Sequence, residues 1–303
     1  MGKGLKIILN IAVFLLVAGF ITYMAISVNE EKPPGQVVAP VTGTFVSPYK
    51  RIASFDLPDE VNRMDLYDGK LFVSAGQSVY IVDEGRILAD FQVKPDVRDI
   101  AVTGGGIYIL YPAGIEVYSL QGEPVRQWEA CSDLSDYCSL AVTGNHVFVT
   151  DAENKNICKY TTDGNFAGFI NSPRDFIIPS YAFDIEAWND TIYCVNAGRH
   201  LVETYTLDGD FIAAFGGPGG EAGFFAGCCN PVYISFTPKG DLLTSEKGNP
   251  RISRFARNGK FMEVLLNSKL LGGGNKAYAI QAFEDILFVA NKNSITVFQY
   301  DDQ

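Results

Sequence analysis

Six cysteines carry the strongest chemical signal in this sequence, because thiolates form disulfides and bind soft metals. Cys228 and Cys229 are adjacent and are followed directly by Asn230 and a proline. Cys131 and Cys138 lie together in a second polar segment. Adjacent cysteines can close a small disulfide ring, which requires unusual backbone geometry of the kind found at functional sites. These four thiols are therefore the first candidates for a site.

The four thiols allow three interpretations, and the sequence leaves all three open. In the first, Cys131 pairs with Cys138, and Cys228 with Cys229, as structural disulfides. In the second, the adjacent pair forms a flat apolar plate on which a ligand stacks. In the third, all four thiolates hold an iron–sulfur cluster or a soft metal, which would make the protein a redox subunit of a membrane complex.

The remaining cysteines, Cys158 and Cys194, alternate with apolar residues in predicted strands. Free cysteine is among the most buried residue types. The pattern predicts two buried side chains, with a disulfide between neighbouring repeats as the alternative.

Several polar residues join the cysteines as candidates for ligand binding. The predicted set is Cys228, Cys229, Asn230, Asp99, Asp184, Arg199, His200 and Lys247. We expect none of them to be catalytic, because the sequence contains no GxSxG, HExxH, phosphate-loop or dinucleotide motif. The two histidines, His146 and His200, are predicted at opposite ends of their strands. A lyase or hydrolase is therefore the weakest of the functional alternatives.

Composition restricts the class of partner. The chain has 303 residues, 24 Lys plus Arg against 35 Asp plus Glu, and a formal net charge of −11. Nucleic-acid binding requires a basic face that neutralises phosphates, so this balance argues against it. The high content of Gly, Tyr and Phe indicates β-structure with many turns.

An apolar run near the N-terminus predicts a transmembrane helix. No charged residue lies between Lys6 and Glu30, and residues 7–28 are long enough to cross the hydrocarbon core. Lysines precede the run and glutamates follow it, which places the N-terminus in the cytoplasm and the remainder outside, in the periplasm or at the cell exterior. A cleaved signal peptide is the alternative.

Three regions follow from this pattern. Residues 1–28 form the membrane anchor, and residues 29–49, with four prolines, form an extended tether. Residues 50–303 form the folded domain. We expect a protein partner in a membrane complex.

The folded domain repeats about every forty residues. First strands align on Met64, Ile100, Leu140, Ile185, Ile234 and Ile280, and each is followed seven or eight residues later by a second apolar strand. Four short strands per repeat of this length are typical of a β-propeller blade. The sequence contains six such units.

The last repeat lacks its fourth strand, and the missing strand precedes the first repeat. Residues 50–57 resemble the fourth strands of the other units. Ring closure by this N-terminal strand would remove the exposed edge of an open array. The predicted fold is therefore an all-β, six-bladed β-propeller closed by an N-terminal strand and preceded by one transmembrane helix.

Strand direction predicts which loops share a face. The connections between blades and the loops between second and third strands open on one face, which we call the inter-blade face. It carries long and varied segments, including those with Cys131 and with Cys228–Cys229. The opposite face carries tight turns such as Asp163–Gly164 and Asn258–Gly259. Function is found more often on long, varied loops.

Residues 208–261 resemble the NHL-type repeat. The matching residues are Phe215–Gly216, Gly223–Phe224, Pro231, Leu242, Asn249, Arg251–Ile252, Phe255, Gly259 and Phe261. The resemblance implies a propeller whose relatives include binding scaffolds, a few lyases and hydrolases, and many secreted proteins. The best functional interpretation is a membrane-anchored extracytoplasmic propeller that binds a ligand or a partner protein on its inter-blade face.

Overall fold

The computed structural model describes residues 16–18 and 45–301, and within them the strands form six four-stranded antiparallel sheets. Blade 1 contains β2 (Val61–Tyr67), β3 (Lys70–Ala75), β4 (Ser78–Asp83) and β5 (Arg86–Gln92). Blade 2 contains β6 (Asp99–Thr103), β7 (Gly106–Tyr111), β8 (Gly114–Tyr118) and β9 (Pro124–Glu129). Blade 3 contains β10 (Tyr137–Thr143), β11 (His146–Asp151), β12 (Asn156–Thr161) and β13 (Phe166–Ile170). Blade 4 contains β14 (Ile185–Trp188), β15 (Thr191–Asn196), β16 (Leu201–Thr206) and β17 (Phe211–Gly216). Blade 5 contains β18 (Tyr233–Phe236), β19 (Leu242–Glu246), β20 (Arg251–Phe255) and β21 (Phe261–Leu266). Blade 6 contains β22 (Ile280–Phe283), β23 (Ile286–Asn291), β24 (Ser294–Tyr300) and the N-terminal strand β1 (Tyr49–Asp56). Two 3₁₀ turns, η1 (Pro179–Tyr181) and η2 (Ala197–Arg199), lie in connections of blades 3 and 4. The prediction of a six-bladed propeller is confirmed.

The hydrophobic core lies between neighbouring blades. Apolar side chains from facing sheets form six clusters. The apolar residue that recurs in every second strand is buried in each blade, at Leu71, Ile107, Val147, Ile192, Leu242 and Leu287. Burying one such side chain contributes about 1.5–3 kcal/mol. The periodic signal in the sequence is thus the packing surface between blades.

Strand β1 closes the ring as predicted. It pairs antiparallel with β24, from Tyr49 opposite Tyr300 to Asp56 opposite Ser294. The two terminal tyrosine rings pack edge to face, with centroids 5.4 Å apart. Just before β1, the Ser47 hydroxyl donates to the carbonyl of Leu265 in blade 5 (2.7 Å). Closure pairs the backbone groups of β24 that an open array would expose.

Tight turns on the face opposite the inter-blade face depend on glycine. Gly259, between β20 and β21, has φ +82°, and a Cβ there would collide with the Phe215 ring of the preceding blade. Glycine adopts this left-handed conformation without a steric penalty. The opposite-face turn at Asn258–Gly259 therefore also serves blade packing.

The predicted membrane span at residues 7–28 lies outside the described residues, apart from residues 16–18, which are helical. In the part of the chain that is described, no helix is long and apolar enough to cross a membrane. Most of the predicted tether, residues 29–44, also lies outside the described residues.

Candidate functional site

The inner strands of the six blades surround a central channel with a cavity of about 180 Å³. Polar side chains on these strands bond to the next blade around the ring. Asp99 accepts from the Ser139 hydroxyl (2.6 Å), and Asp184 accepts from the amide of Ile234 (2.7 Å). The members of this ring are Asp65, Asp99, Ser139, Asp184, Ser235 and Gln281. These contacts join neighbouring inner strands.

Arg63 supplies a positive charge to the acidic residues of the channel. Its guanidinium lies 3.5 Å from the carboxylate of Asp99 and 3.2 Å from that of Asp184. It also donates to the carbonyl of Arg98 (3.3 Å) and lies over the Tyr233 ring, 4.1 Å from the centroid. Carboxylates on both sides and a ring face below are favourable surroundings for a buried guanidinium.

Carboxyl groups outnumber this cation in the channel. Burial raises the pKa of Asp65 to about 7, although the amides of Val102 and Leu66 act against the shift. Burial also raises the pKa of Asp184 to about 6, with Arg63 opposing. Burial and neighbouring carboxylates raise the pKa of Glu186 well above its ordinary value. The channel therefore holds protons near neutral pH.

Cys228 and Cys229 lie in the segment between β17 and β18, on the inter-blade face. Their sulfur atoms are 2.9 Å apart. Cys228 is exposed, whereas Cys229 is only 1% exposed. Burial raises the pKa of the Cys229 thiol, but the neighbouring Cys228 and the positive charge of Lys247 outweigh burial and leave the pKa below its usual value. The two thiols of the pair therefore differ in exposure, and the buried one is more acidic than an ordinary cysteine.

Asn230 fixes the backbone beside this pair. Its side-chain amide donates to the carbonyls of Ala226 (2.6 Å) and Lys247 (3.0 Å), and its oxygen accepts from the amide of Lys247 (2.9 Å). Asn230 is 2% exposed. The predicted ligand-binding residue Asn230 therefore has its side chain committed to holding the Cys228–Cys229 segment against the β19–β20 loop.

The η1 turn lies in the connection between β13 and β14, on the inter-blade face. Ser180 and Tyr181 have φ of +56° and +57°, a left-handed conformation that costs about 1–2 kcal/mol for a residue with a side chain. The Tyr181 ring lies under the guanidinium of Arg98, 5.5 Å away. Tyr181 is 58% exposed. An aromatic ring is thus held at the surface in a strained backbone.

The predicted residues Arg199 and His200 lie on the β15–β16 connection. Arg199 donates to the carbonyl of Asp175 (3.1 Å). His200 ends η2 in a left-handed conformation, and its carbonyl accepts from the amide of Gly217 (2.7 Å). Burial lowers the pKa of the His200 imidazole. Each of these contacts joins the β15–β16 connection to a neighbouring segment of the inter-blade face.

The structure does not pair Cys131 with Cys138. The sulfur of Cys131 lies 3.1 Å from that of Cys158 and packs in the core between blades 2 and 3. Cys138 packs with Cys194 in the core between blades 3 and 4. The two side chains lie on opposite faces of the blade 3 sheet, so the interpretation that pairs Cys131 with Cys138 is wrong. The predicted burial of Cys158 and Cys194 is confirmed.

The four thiols of the iron–sulfur interpretation lie in three places: Cys131 in the core between blades 2 and 3, Cys138 in the core between blades 3 and 4, and the Cys228–Cys229 pair in the segment between β17 and β18. In the described ranges, one group of three metal-ligating side chains has its donor atoms within 4.8 Å of one another, and it is Cys131, Asp151 and Cys158. Asp151 in that group already accepts from the amides of Asp136 (3.1 Å) and two loop residues. Its carboxylate stabilises the β11–β12 loop.

Sequence reasoning missed several residues of this face and channel. Asp65 and Glu186 follow Arg63 and Asp184 by two positions, so strand alternation could have placed them on the channel face. Ser180 and Tyr181 carry no such signal, since neither residue type is expected at positive φ.

Comparisons with known proteins address the fold. No protein-family model matches the chain, and no curated protein matches it. A virginiamycin B lyase from Staphylococcus aureus, solved with quinupristin, is 15% identical with a TM-score of 0.57, covering 83% of this chain and 99% of that one. A streptogramin B lyase is 20% identical with a TM-score of 0.60, covering 84% and 88%. A protein of unknown function from Bacteroides caccae is 12% identical with a TM-score of 0.53, covering 73% and 81%. At these identities the likeness shows the fold alone, and the chain is a six-bladed β-propeller.

Proposed function

We propose that this chain is a membrane-anchored extracytoplasmic β-propeller that binds a ligand or partner protein on its inter-blade face. The anchor is the apolar segment 7–28, and the charges that flank it place the propeller outside the cytoplasm.

The observation that carries the proposal is the exposed ring of Tyr181. The Tyr181 side chain is more than half exposed, and its backbone conformation costs energy, so this arrangement is unfavourable unless the ring contacts a binding partner. The guanidinium of Arg98 lies over the ring and limits its orientations. Tyrosine and arginine are enriched among the residues that dominate binding energy at protein interfaces.

The surroundings of Tyr181 favour a protein partner. Cys228 is also exposed on the inter-blade face. Among the described residues, the cavity at the axis is small and lined by committed polar groups, so it offers little space for a large ligand. An interface spread over the loops fits this surface better.

Site-specific photo-crosslinking in the cells that make the protein tests this proposal. A photoreactive phenylalanine analogue replaces Tyr181 on the inter-blade face, or Phe166 on the outer strand β13 as the matched control, since both side chains are exposed aromatics. We expect a discrete crosslinked species from position 181 that position 166 does not give. Crosslinks from neither position, or only from position 166, would refute binding on the inter-blade face.

The anchor has a separate test. Membranes are washed at alkaline pH, and protease is added to cells whose outer barrier has been opened. We expect the protein to stay with the membrane and the propeller to be digested. Release by the wash would refute the anchor, and protection from protease would refute the outside location.

A further inference from the structure

The Cys228–Cys229 pair combines one accessible sulfur with one enclosed sulfur. Cys228 is exposed, and its sulfur is 2.9 Å from that of Cys229. Cys229 packs among buried apolar residues of blades 4 and 5, including Val195 and Phe225. In thiol–disulfide exchange, which sulfur is attacked depends on access. An incoming thiolate could reach only Cys228 of this pair.

The surroundings of Cys229 suit a sulfur that leaves as a thiolate. Against the effect of burial, the positive charge of Lys247 lowers the pKa of the Cys229 thiol. An ammonium group stabilises negative charge on sulfur, and a better stabilised thiolate leaves faster. Asn230 holds the backbone of Lys247 beside the pair through two hydrogen bonds.

We propose that Cys228 and Cys229 form a dithiol–disulfide couple that exchanges with cysteine thiols of a partner polypeptide. In its oxidised form the pair is joined by a disulfide, which forms by exchange with a small-molecule disulfide and releases two small thiols. A partner thiolate attacks the sulfur of Cys228, the bond between Cys228 and Cys229 breaks, and the electron pair remains on Cys229.

A second partner thiolate then completes the reaction. It attacks the partner sulfur of the mixed disulfide, the bond to Cys228 breaks, and Cys228 leaves as a thiolate that takes a proton from water. Two partner thiols are oxidised to one disulfide, and the Cys228–Cys229 disulfide is reduced to two thiols.

The shape of the surface favours a polypeptide over a small thiol. Cys228 and Cys229 line neither the channel cavity nor the cavity between blades 2 and 3 that the described residues form. Neither of these two cavities encloses a small molecule at the pair, whereas a polypeptide can dock on the surrounding loops. The inference therefore rests on the proposed function and gives the chemistry of that same face.

Mass spectrometry of the full-length protein tests the proposal. The protein is oxidised with glutathione disulfide and then treated with one equivalent of a peptide that carries one cysteine. No second peptide thiol is then present to resolve the mixed disulfide, and the reaction is stopped by alkylation. We expect a Cys228–Cys229 disulfide after oxidation and a peptide adduct on Cys228 after treatment, with Cys229 free to be alkylated. An adduct on Cys229, or no disulfide between the two cysteines, would overturn the proposal.

Lys247→Gln tests the role of the leaving sulfur, with Lys239→Gln, an exposed lysine on the β18–β19 turn, as the matched control. We expect Lys247→Gln to slow adduct formation about threefold to tenfold, because Cys229 becomes a poorer leaving group. Equal rates in the two variants would contradict the assigned role of Lys247. Reduction by glutathione but not by the peptide would contradict the polypeptide substrate.

These results are separable from the test of the proposed function. A crosslink at position 181 without exchange at Cys228 leaves partner binding intact and removes only the redox chemistry. Exchange at Cys228 without a crosslink leaves the chemistry and removes the proposed interface.

Discussion

Replacing Arg63 by methionine tests whether the ion pairs of the channel stabilise the folded protein. Arg63 is the cation between Asp99 and Asp184, and its side chain is only 15% exposed. Removing one partner of a buried ion pair costs about 3–5 kcal/mol, because the remaining charge is left uncompensated. We expect Arg63→Met to lose about this much unfolding free energy at about pH 8.

The same loss should depend strongly on pH. The pKa of Asp65 is about 7 and that of Asp184 about 6 in the folded protein, both above the ordinary value of 3.8. The folded state therefore binds more protons than the unfolded state between about pH 4 and pH 7, and stability falls as pH rises through this window. Without Arg63 the pKa of Asp184 rises further, so the deficit of the variant widens with pH.

Urea unfolding at about pH 4.5 and about pH 8, followed by tryptophan fluorescence, measures both effects. At about pH 4.5 the deficit should be smaller than at about pH 8, because Asp184, with a pKa of about 6, is then largely protonated and no longer a charge that Arg63 must compensate. Arg51→Met, which removes an exposed arginine of β1 bonded to Ser54, should cost little at either pH. A deficit of Arg63→Met that is equal at both pH values would refute the electrostatic argument and assign the loss to packing.

Three further predictions concern the cysteine segment, the thiols and ring closure. Asn230→Ala should lower the unfolding free energy by about 2–3 kcal/mol in urea titrations, because two carbonyls and the Lys247 amide lose their partner; an unchanged midpoint would contradict this. Iodoacetamide at about pH 8 should modify Cys228 in the reduced protein but neither Cys138 nor Cys194, because both are buried and burial raises the pKa of Cys138 to about 12. Peptide mapping measures the labelling, and equal labelling of the three cysteines would contradict the assigned burial. Deletion of β1 should cause aggregation measurable by light scattering, because it exposes the edge of β24, and a stable monomer would refute closure as the stabilising element.

The fold could be predicted from the sequence because one packing rule is repeated six times. Each blade buries an apolar residue early in its second strand, and the recurrence of that residue gives the period. Ring closure could also be inferred, since the last repeat lacks one strand and residues 50–57 supply it. The buried residue is part of a pattern within each repeat, and ring closure follows from counting the strands of the last repeat.

The candidate site was predictable only in part. Asp99 and Asp184 were identified because they lie at the start of, or directly before, inner strands, where a propeller exposes side chains to its channel. The Ser180–Tyr181 conformation could not be read from the sequence, because tertiary contacts impose it against the local preference. The Cys131–Cys158 contact was missed because Cys131 lies in the irregular connection before β10, where no strand alternation indicates which way a side chain points.

A comparison of third strands explains why Cys158 lies where it does. In β8, Glu116 accepts from the hydroxyl of Tyr118 two residues later (2.7 Å). In β16, Glu203 accepts in the same way from Tyr205. Blades 2 and 4 thus fill the same strand position with a carboxylate whose charge is satisfied by a neighbouring tyrosine.

Blade 3 places a thiol at that position. The equivalent residue is Cys158, with Tyr160 two residues later, but the Tyr160 hydroxyl bonds to that of Tyr137 (2.5 Å) and Cys158 meets Cys131 instead. A pair of sulfurs replaces a buried carboxylate and its donor, which makes this contact part of the packing between blades 2 and 3. Cys228 is then the one cysteine in the described part of the chain with an exposed side chain, so chemistry with a partner should be confined to the Cys228–Cys229 pair.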